Sequence, residues 1–160
     1  MDIALVAVGR LKAGPERELC ARYLDRASKS GARLGFRGFQ VKEIPESRAP
    51  QALERLRQEE TALLSAFETA GQCICLDASG EQADTGTLAT RLAHAAEAGT
   101  SAIVFVVGGP DGLSEHVLQR ADWRLAFGRL TWPHQLARVM LAEQLYRAMT
   151  ILSGHPYHRA

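Results

Sequence analysis

Cysteine is scarce, with only Cys20, Cys73 and Cys75 in 160 residues. An odd number with no second pair argues against a metal or redox centre. Cys73 and Cys75 alternate inside an apolar run, so both are expected on one face of a buried strand as packing residues. No apolar run approaches about 18 residues, which excludes a transmembrane helix. The start, Met1-Asp2-Ile3-Ala4-Leu5-Val6-Ala7-Val8-Gly9, carries no basic segment, so no signal peptide and a cytoplasmic location are expected. There is no P-loop, no GxGxxG in its usual register and no GxSxG elbow. Nucleoside triphosphate, nicotinamide and serine-hydrolase sites are therefore disfavoured. Of the five histidines, His94 and His116 fall on helix surfaces, while Pro156 separates His155 from His158. No metal site is expected.

What is present is an ordinary composition, 46% hydrophobic and 23% charged, and a length suited to one domain over residues 1–160. The net charge of +1 hides an asymmetry. Residues 10–42 hold nine basic side chains against Glu16, Glu18 and Asp25, a net of +6, which leaves −5 for the remainder. Such a basic segment hints at a polyanionic partner.

Along the chain, Asp2–Val8 forms a buried-strand pattern closed by Gly9. Pro15, Glu16 and Glu18 open a helix to about Ser30, with Leu19, Tyr23 and Ala27 expected on its core side. Arg22, Arg26, Lys29 and Arg33 then make one cationic stripe, either a solvated face or a surface that tracks phosphates. In the second case each contact on a single strand steepens the salt slope by about 0.7. Residues 36–44 predict a strand, residues 45–50 a linker, and residues 51–70 an amphipathic helix with Leu53, Leu56, Leu63, Leu64, Phe67 and Ala70 inward. A strand at residues 72–77 ends in the polar loop Asp77-Ala78-Ser79-Gly80, and a helix follows from about Thr85 to Ala98. The remaining elements are a strand at Ala102–Val107, a short helix capped by Ser114, and a strand at residues 122–127. Strands alternating with helices, several apolar on both faces, give an α/β fold with a mostly parallel sheet covered by helices on both faces. Ligands of such sheets bind beyond the carboxyl ends of strands, which singles out the glycine-bearing loops at 76–80, 108–113 and 127–133.

The last thirty residues are unusual for a chain end. A long helical run to Leu152 stops at Gly154, and His155, Tyr157, His158 and Arg159 close the sequence. The apolar arc of that helix spans roughly 200° where about 100° suffices for packing on one sheet. The excess predicts a second apolar contact, most simply a subunit interface. Arg138 falls in the middle of the arc and must face either a ligand site or a structural ion pair.

Three stretches carry a family resemblance: Leu76-Asp77-Ala78-Ser79-Gly80, Val106-Val107-Gly108-Gly109-Pro110-Asp111-Gly112-Leu113, and the block from Leu130-Thr131-Trp132-Pro133-His134 to Ala148. They resemble the SPOUT (α/β-knot) methyltransferases. The ending Gly154-His155-Pro156-Tyr157-His158-Arg159 narrows the resemblance to the 23S rRNA pseudouridine N3-methyltransferase family, and it extends over essentially the whole chain. The resemblance implies a homodimer with a C-terminal deep trefoil knot, one of the exceptions to unknotted topology. It implies S-adenosyl-L-methionine as cofactor, held by Leu76, Gly108, Phe127, Gly128, Arg129, Leu130, Thr131 and Trp132, with much of the contact from backbone. It also implies methylation of a pseudouridine in the helix 69 loop region of 23S rRNA on the assembled ribosome. Under it, His134 takes the imide proton, Arg138 and Arg159 stabilise the base anion, and Tyr157 and His158 contribute from the tail. A SPOUT enzyme acting on tRNA or another rRNA site, and a non-catalytic RNA-binding factor with the same knot, are the alternatives.

Overall fold

The computed structural model describes residues 1–68 and 70–158. Its strands are β1 (Asp2–Val8), β2 (Arg37–Ile44), β3 (Gln72–Gln82), β4 (Ala102–Val107) and β5 (Trp123–Ala126). Its helices are α1 (Pro15–Gly31), α2 (Ala52–Phe67), α3 (Thr85–Glu97), α4 (Glu115–Gln119) and α5 (His134–Leu152). The strands form one five-stranded sheet in the order β2-β1-β4-β3-β5, and every ladder is parallel. No described helix is long and apolar enough to cross a membrane.

The central strands β1 and β4 are apolar on both sides because both faces are covered. One face carries Ile3, Leu5, Phe105 and Ile74 against α1, α3 and α5. The other carries Val6, Val8, Val104, Val106, Cys73 and Cys75 against α2 and α4. Both strand cysteines thus point to one face, and burial pushes their thiols up to about 11 and about 12, so they are inert packing groups. Fully burying one large apolar side chain such as Phe105 contributes about 1.5–3 kcal/mol.

Several local expectations shift. In α1 the inward stripe is Cys20, Leu24 and Ala27, while Leu19 is 36% exposed. The rotation follows from packing on α5, where Cys20 meets the Arg138 backbone and Tyr23 lies beside Tyr146. The helix ends at Gly31 and a 3-10 turn (Ala32–Leu34) carries Arg33. In α2, Leu53 lies in solvent in the first turn, and the acidic Glu59 is buried instead. The strand expected to stop at Asp77 extends to Gln82. Leu76 and Glu81 both pair with Leu125, so residues 77–80 bulge out between two paired stretches. Gly80 is required there, because a Cβ would lie 2.6 Å from the Arg124 backbone. The wide apolar arc of α5 is largely accounted for within the chain, by α1 on one side and α3 on the other. It does not by itself call for a partner subunit.

Candidate active site

The bulge within β3 and the loops after β4 and β5 converge at the carboxyl edge of the sheet and enclose one cavity. Its walls are Leu76, Asp77 and Ala78, then Val107 to Pro110 and Gly112, then Leu125, Phe127, Gly128, Leu130, Thr131 and Trp132, with His134 and Ala137 of α5 closing it. Seven of the eight positions expected to hold the cofactor line this cavity; Arg129 does not.

Each loop has a local cause. Gly108 and Gly112 fold the second loop on itself, with Gly112 N–H donating to the Gly109 carbonyl at 3.0 Å. Gly112 takes a φ of +80°, and a Cβ on Gly108 would overlap the Gly112 carbonyl. The third loop is closed by the Trp132 indole, whose Nε1 donates to the Phe127 carbonyl at 3.2 Å. In the first loop, Asp77 accepts from the Ser79 backbone at 2.8 Å and from the Ser79 hydroxyl, which fixes the bulge.

The second loop is also held from behind by α2. Arg55 makes a two-pronged ion pair with Asp111, Nε to Oδ2 at 2.6 Å and Nη2 to Oδ1 at 2.9 Å. Its third nitrogen donates to the carbonyls of Ala49 and Pro50. Glu60 accepts from Ser114 at 2.5 Å and lies 2.9 Å from His116 Nδ1, and these two partners hold its carboxyl below the usual range. His116 therefore has a carboxylate partner and is not simply solvated. Buried Glu59 accepts from the Ser47 backbone at 2.8 Å and sits behind Gly109; burial pushes its carboxyl up.

His134 is the first residue of α5 and lies between the cavity and Gly9. A Cβ on Gly9 would stand 3.7 Å from His134 Nε2, 3.7 Å from Arg138 Nη2 and 3.5 Å from Glu46 Oε2. Burial and then the Arg138 charge lower the His134 pKa below 6.5, against a smaller opposing pull from Glu46. The imidazole is neutral at pH 7 and able to accept a proton.

Arg138 is fully buried and does not line the cavity. Its Nη2 donates to the carbonyls of Val8 at 2.5 Å and Gly9 at 2.6 Å, and its Nη1 meets Glu43 Oε1 at 3.0 Å. Of the two roles open to it in the sequence, the ion pair is the one formed.

The tail lies elsewhere. Tyr157 packs on Tyr146 with ring centroids 4.6 Å apart, donates from its hydroxyl to Glu143 at 3.1 Å, and lies under the Arg147 guanidinium. Burial, then Tyr23 and Glu143, push its phenol up. His158 has a buried Nδ1 without a partner. Glu143 is nine residues along α5 from His134, about 13 Å at 1.5 Å per residue, so this chain's Tyr157 is not brought to its own cavity. Arg159 lies outside the described residues.

Among the described residues that line the cavity there is no lysine or arginine, and Asp77 is the one carboxylate. A polyphosphate has no counter-charge there. A cation flanked by an apolar ring system does: Leu76, Leu125, Leu130 and Ala137 supply the apolar wall, and backbone groups of the glycine loops supply the polar edge. A sulfonium such as that of S-adenosylmethionine fits this donor set. Among the described residues, no group of three or more metal-ligating side chains occurs.

Fold and cavity together define an α/β protein with a ligand-sized cavity at the carboxyl edge of a parallel sheet. A family model described as predicted SPOUT methyltransferase matches residues 1–158. Proteins named ribosomal RNA large subunit methyltransferase H are similar along all or most of their length. That of Bradyrhizobium sp. strain BTAi1 is 49% identical over 160 residues, covering 100% of both chains. That of Chelativorans sp. strain BNC1 is 54% identical over 157 residues, covering 98% of this chain and 90% of the relative. Among solved structures, a probable methyltransferase from Bordetella pertussis Tohama I superposes with a TM-score of 0.54 at 14% identity, over 92% of this chain and 95% of that one. A probable methylase family protein from Haemophilus influenzae Rd KW20 gives 0.53 at 13% identity, over 99% and 70%. The chain belongs to the SPOUT methyltransferase family.

Proposed function

We propose that this protein methylates N3 of a pseudouridine in the helix 69 loop region of 23S rRNA on the assembled ribosome, using S-adenosyl-L-methionine. The observation that carries the cofactor is the cavity itself, which joins seven of the eight expected positions and, among its described lining residues, presents one carboxylate and no cationic side chain. The substrate reading is supported by the names of relatives about half identical over the full chain.

Bound in the cavity, S-adenosylmethionine supplies the methyl group. The chain's own residues have three tasks. Neutral His134, at the cavity's edge, takes the N3 proton as the new bond to nitrogen forms, and becomes imidazolium. Arg138 does not touch the base; it fixes the end of β1 at Gly9, against which the His134 ring stands. Holding both partners in line contributes several kcal/mol of the barrier reduction.

Tyr157, His158 and Arg159 belong to the site of the partner subunit in a homodimer, since this chain's Tyr157 folds against α5 and away from its own cavity. Leu136 (41% exposed) and Leu19 beside the half-buried Val139 and Met140 give the dimer an apolar face on α5 and α1. The knotted threading of the C-terminal segment and a cytoplasmic location complete the reading.

Methyl transfer from labelled cofactor to whole ribosomes, separated large subunits and free rRNA tests it. Label is expected at one pseudouridine, with whole ribosomes the best acceptor. Calorimetry that finds no S-adenosylmethionine binding would remove the methyltransferase reading.

A further inference from the structure

His134 stands between two opposite charges, and one of them is already committed. Arg138, one turn along α5, is bound to Glu43 and to the carbonyls of Val8 and Gly9. Glu46, in the linker after β2, is exposed, and among the described residues no lysine or arginine forms an ion pair with it. Its Oε2 lies 3.5 Å from the point over Gly9 where a Cβ would stand, and His134 Nε2 lies 3.7 Å from the same point. Carboxylate and ring are therefore separated by at most about twice that distance, inside the screening length of about 8 Å at physiological salt. The linker that carries Glu46 is held in place. Pro45 restricts its entry. The Ser47 N–H donates to buried Glu59 at 2.8 Å and the Ser47 hydroxyl to Gln58 at 2.6 Å, while Arg55 holds the carbonyls of Ala49 and Pro50. The backbone directly after Glu46 is thus anchored on α2.

We propose that Glu46 acts through His134 as a positioning residue: its carboxylate draws the ring to the Gly9 side and counters the positive charge the ring acquires on taking the N3 proton. The inference rests on the reading of His134 as the base and adds the group that strengthens it. Burial of the ring, and then the Arg138 guanidinium, oppose formation of the imidazolium, and Glu46 opposes them both. The other carboxylates around this region are engaged. Glu43 is held by Arg138 and the Leu11 N–H, Asp77 by Ser79, and Glu59 by Ser47. Arg10, which follows Gly9, and Arg48, two residues beyond Glu46, are exposed cations and favour the neutral ring. Among the described residues, Glu46 is therefore the charge that both favours the protonated ring and is uncommitted. No bond to Glu46 is made or broken. The proton passes from N3 to the imidazole, and the imidazolium releases it to solvent before the next turnover.

Titration of the His134 ring by NMR in the full-length protein, assigned by its loss in His134→Gln, tests the pair without RNA or cofactor. Glu46→Gln is expected to move the titration to lower pH, and Glu46→Asp to keep most of the unaltered position. Glu97→Gln makes the same charge change on an exposed residue at the end of α3 and should leave the titration in place. The difference between the unaltered protein and Glu46→Gln should shrink as salt is raised, because the carboxylate is exposed. In methyl transfer, Glu46→Gln should lower kcat by about two- to fivefold, the range of an exposed charge pair, and carry the acid limb of kcat/KM to lower pH. The KM for the cofactor should hold, since Glu46 does not line the cavity. The proposal is overturned if His134 titrates alike in the unaltered protein and in Glu46→Gln, if Glu97→Gln shifts it as far, or if kcat is the same with and without the Glu46 charge. A protein that transfers no methyl group to any RNA loses the proposed function, while the titration still decides whether Glu46 acts on His134.

Discussion

Arg138 and Glu43 lie 95 residues apart in the chain and 3.0 Å apart in space. The arginine is fully enclosed, while the glutamate side chain keeps 29% of its surface in solvent. Glu43 Oε1 also accepts the Leu11 N–H at 2.8 Å, so one carboxylate ties β2 to the start of the α1 segment and to α5. Replacing Arg138 by Met would strand the carbonyls of Val8 and Gly9 and leave Glu43 without its cation. A loss of about 3–5 kcal/mol is expected from the denaturation midpoint. Glu43→Gln keeps an acceptor at both partners and should cost clearly less. Equal losses would mean that the backbone contacts of Arg138 contribute nothing.

The grip of α2 on the glycine loop predicts a binding phenotype rather than a folding one. Arg55→Ala frees Asp111 and should raise the cofactor dissociation constant several-fold by calorimetry with little change in melting temperature. Exchanging the pair, Arg55→Asp with Asp111→Arg, should recover part of the affinity. Unchanged binding in the single variant would disconnect α2 from the site.

Titration of His134 sets both an activity limb and a stability trend. Its folded pKa lies below 6.5, so it remains neutral, and competent to take a proton, to lower pH than a free imidazole. The acid limb of kcat/KM is therefore expected below pH 6.5 and should move or vanish in His134→Gln. For stability, the unfolded chain protonates first as pH falls. The native state is thus undisturbed by this group above about pH 6.5 and loses stability as pH drops through the folded value. A limb above 6.5 would contradict the burial of the ring.

Two glycines of the cradle should respond differently to alanine. At Gly108 the added carbon meets backbone, so the loop must open and cofactor binding should be lost. At Gly128 nothing lies within 4 Å, and only the φ of +102° is strained, so reduced but measurable binding is expected. Calorimetry on both variants distinguishes them.

Removing residues 157–160 is expected to abolish methyl transfer while leaving cofactor heat intact, because no part of Tyr157 or His158 lines the cavity. Full activity of the shortened chain would take the tail out of the reaction.

How much of this was legible in the sequence depends on the range of the forces involved. β1 and β4 fall at Asp2–Val8 and Ala102–Val107 as expected, because continuous apolar runs bounded by glycine and polar residues have one reasonable length. The cradle was legible for a related reason, since each of its segments carries glycine and stands at the end of an apolar run, although the first proved to be a bulge inside β3. What escaped was set by partners far along the chain. The burial of Glu59 depends on the 45–50 linker folding over it, and the inward face of α1 depends on α5. Arg55 has no local feature that marks it; only Asp111, 56 residues on, does. The tail's folding against α5 rests on Glu143, Tyr146 and Arg147, whose outward faces resemble any solvated helix until Tyr157 is in place.

The placement of β1 also governs the order in which the molecule can be completed during synthesis. The first strand made is an interior one, paired with β2 early but with β4 only after some hundred further residues. The face it shares with α1 and α3 is completed only when α5 arrives with Arg138 to close it. A nascent chain is therefore obliged to carry open apolar surface almost to its terminus. A fragment ending before His134 lacks the α5 wall of the cradle and the α5 part of the sheet's cover, so stability and ligand affinity should appear together, and late.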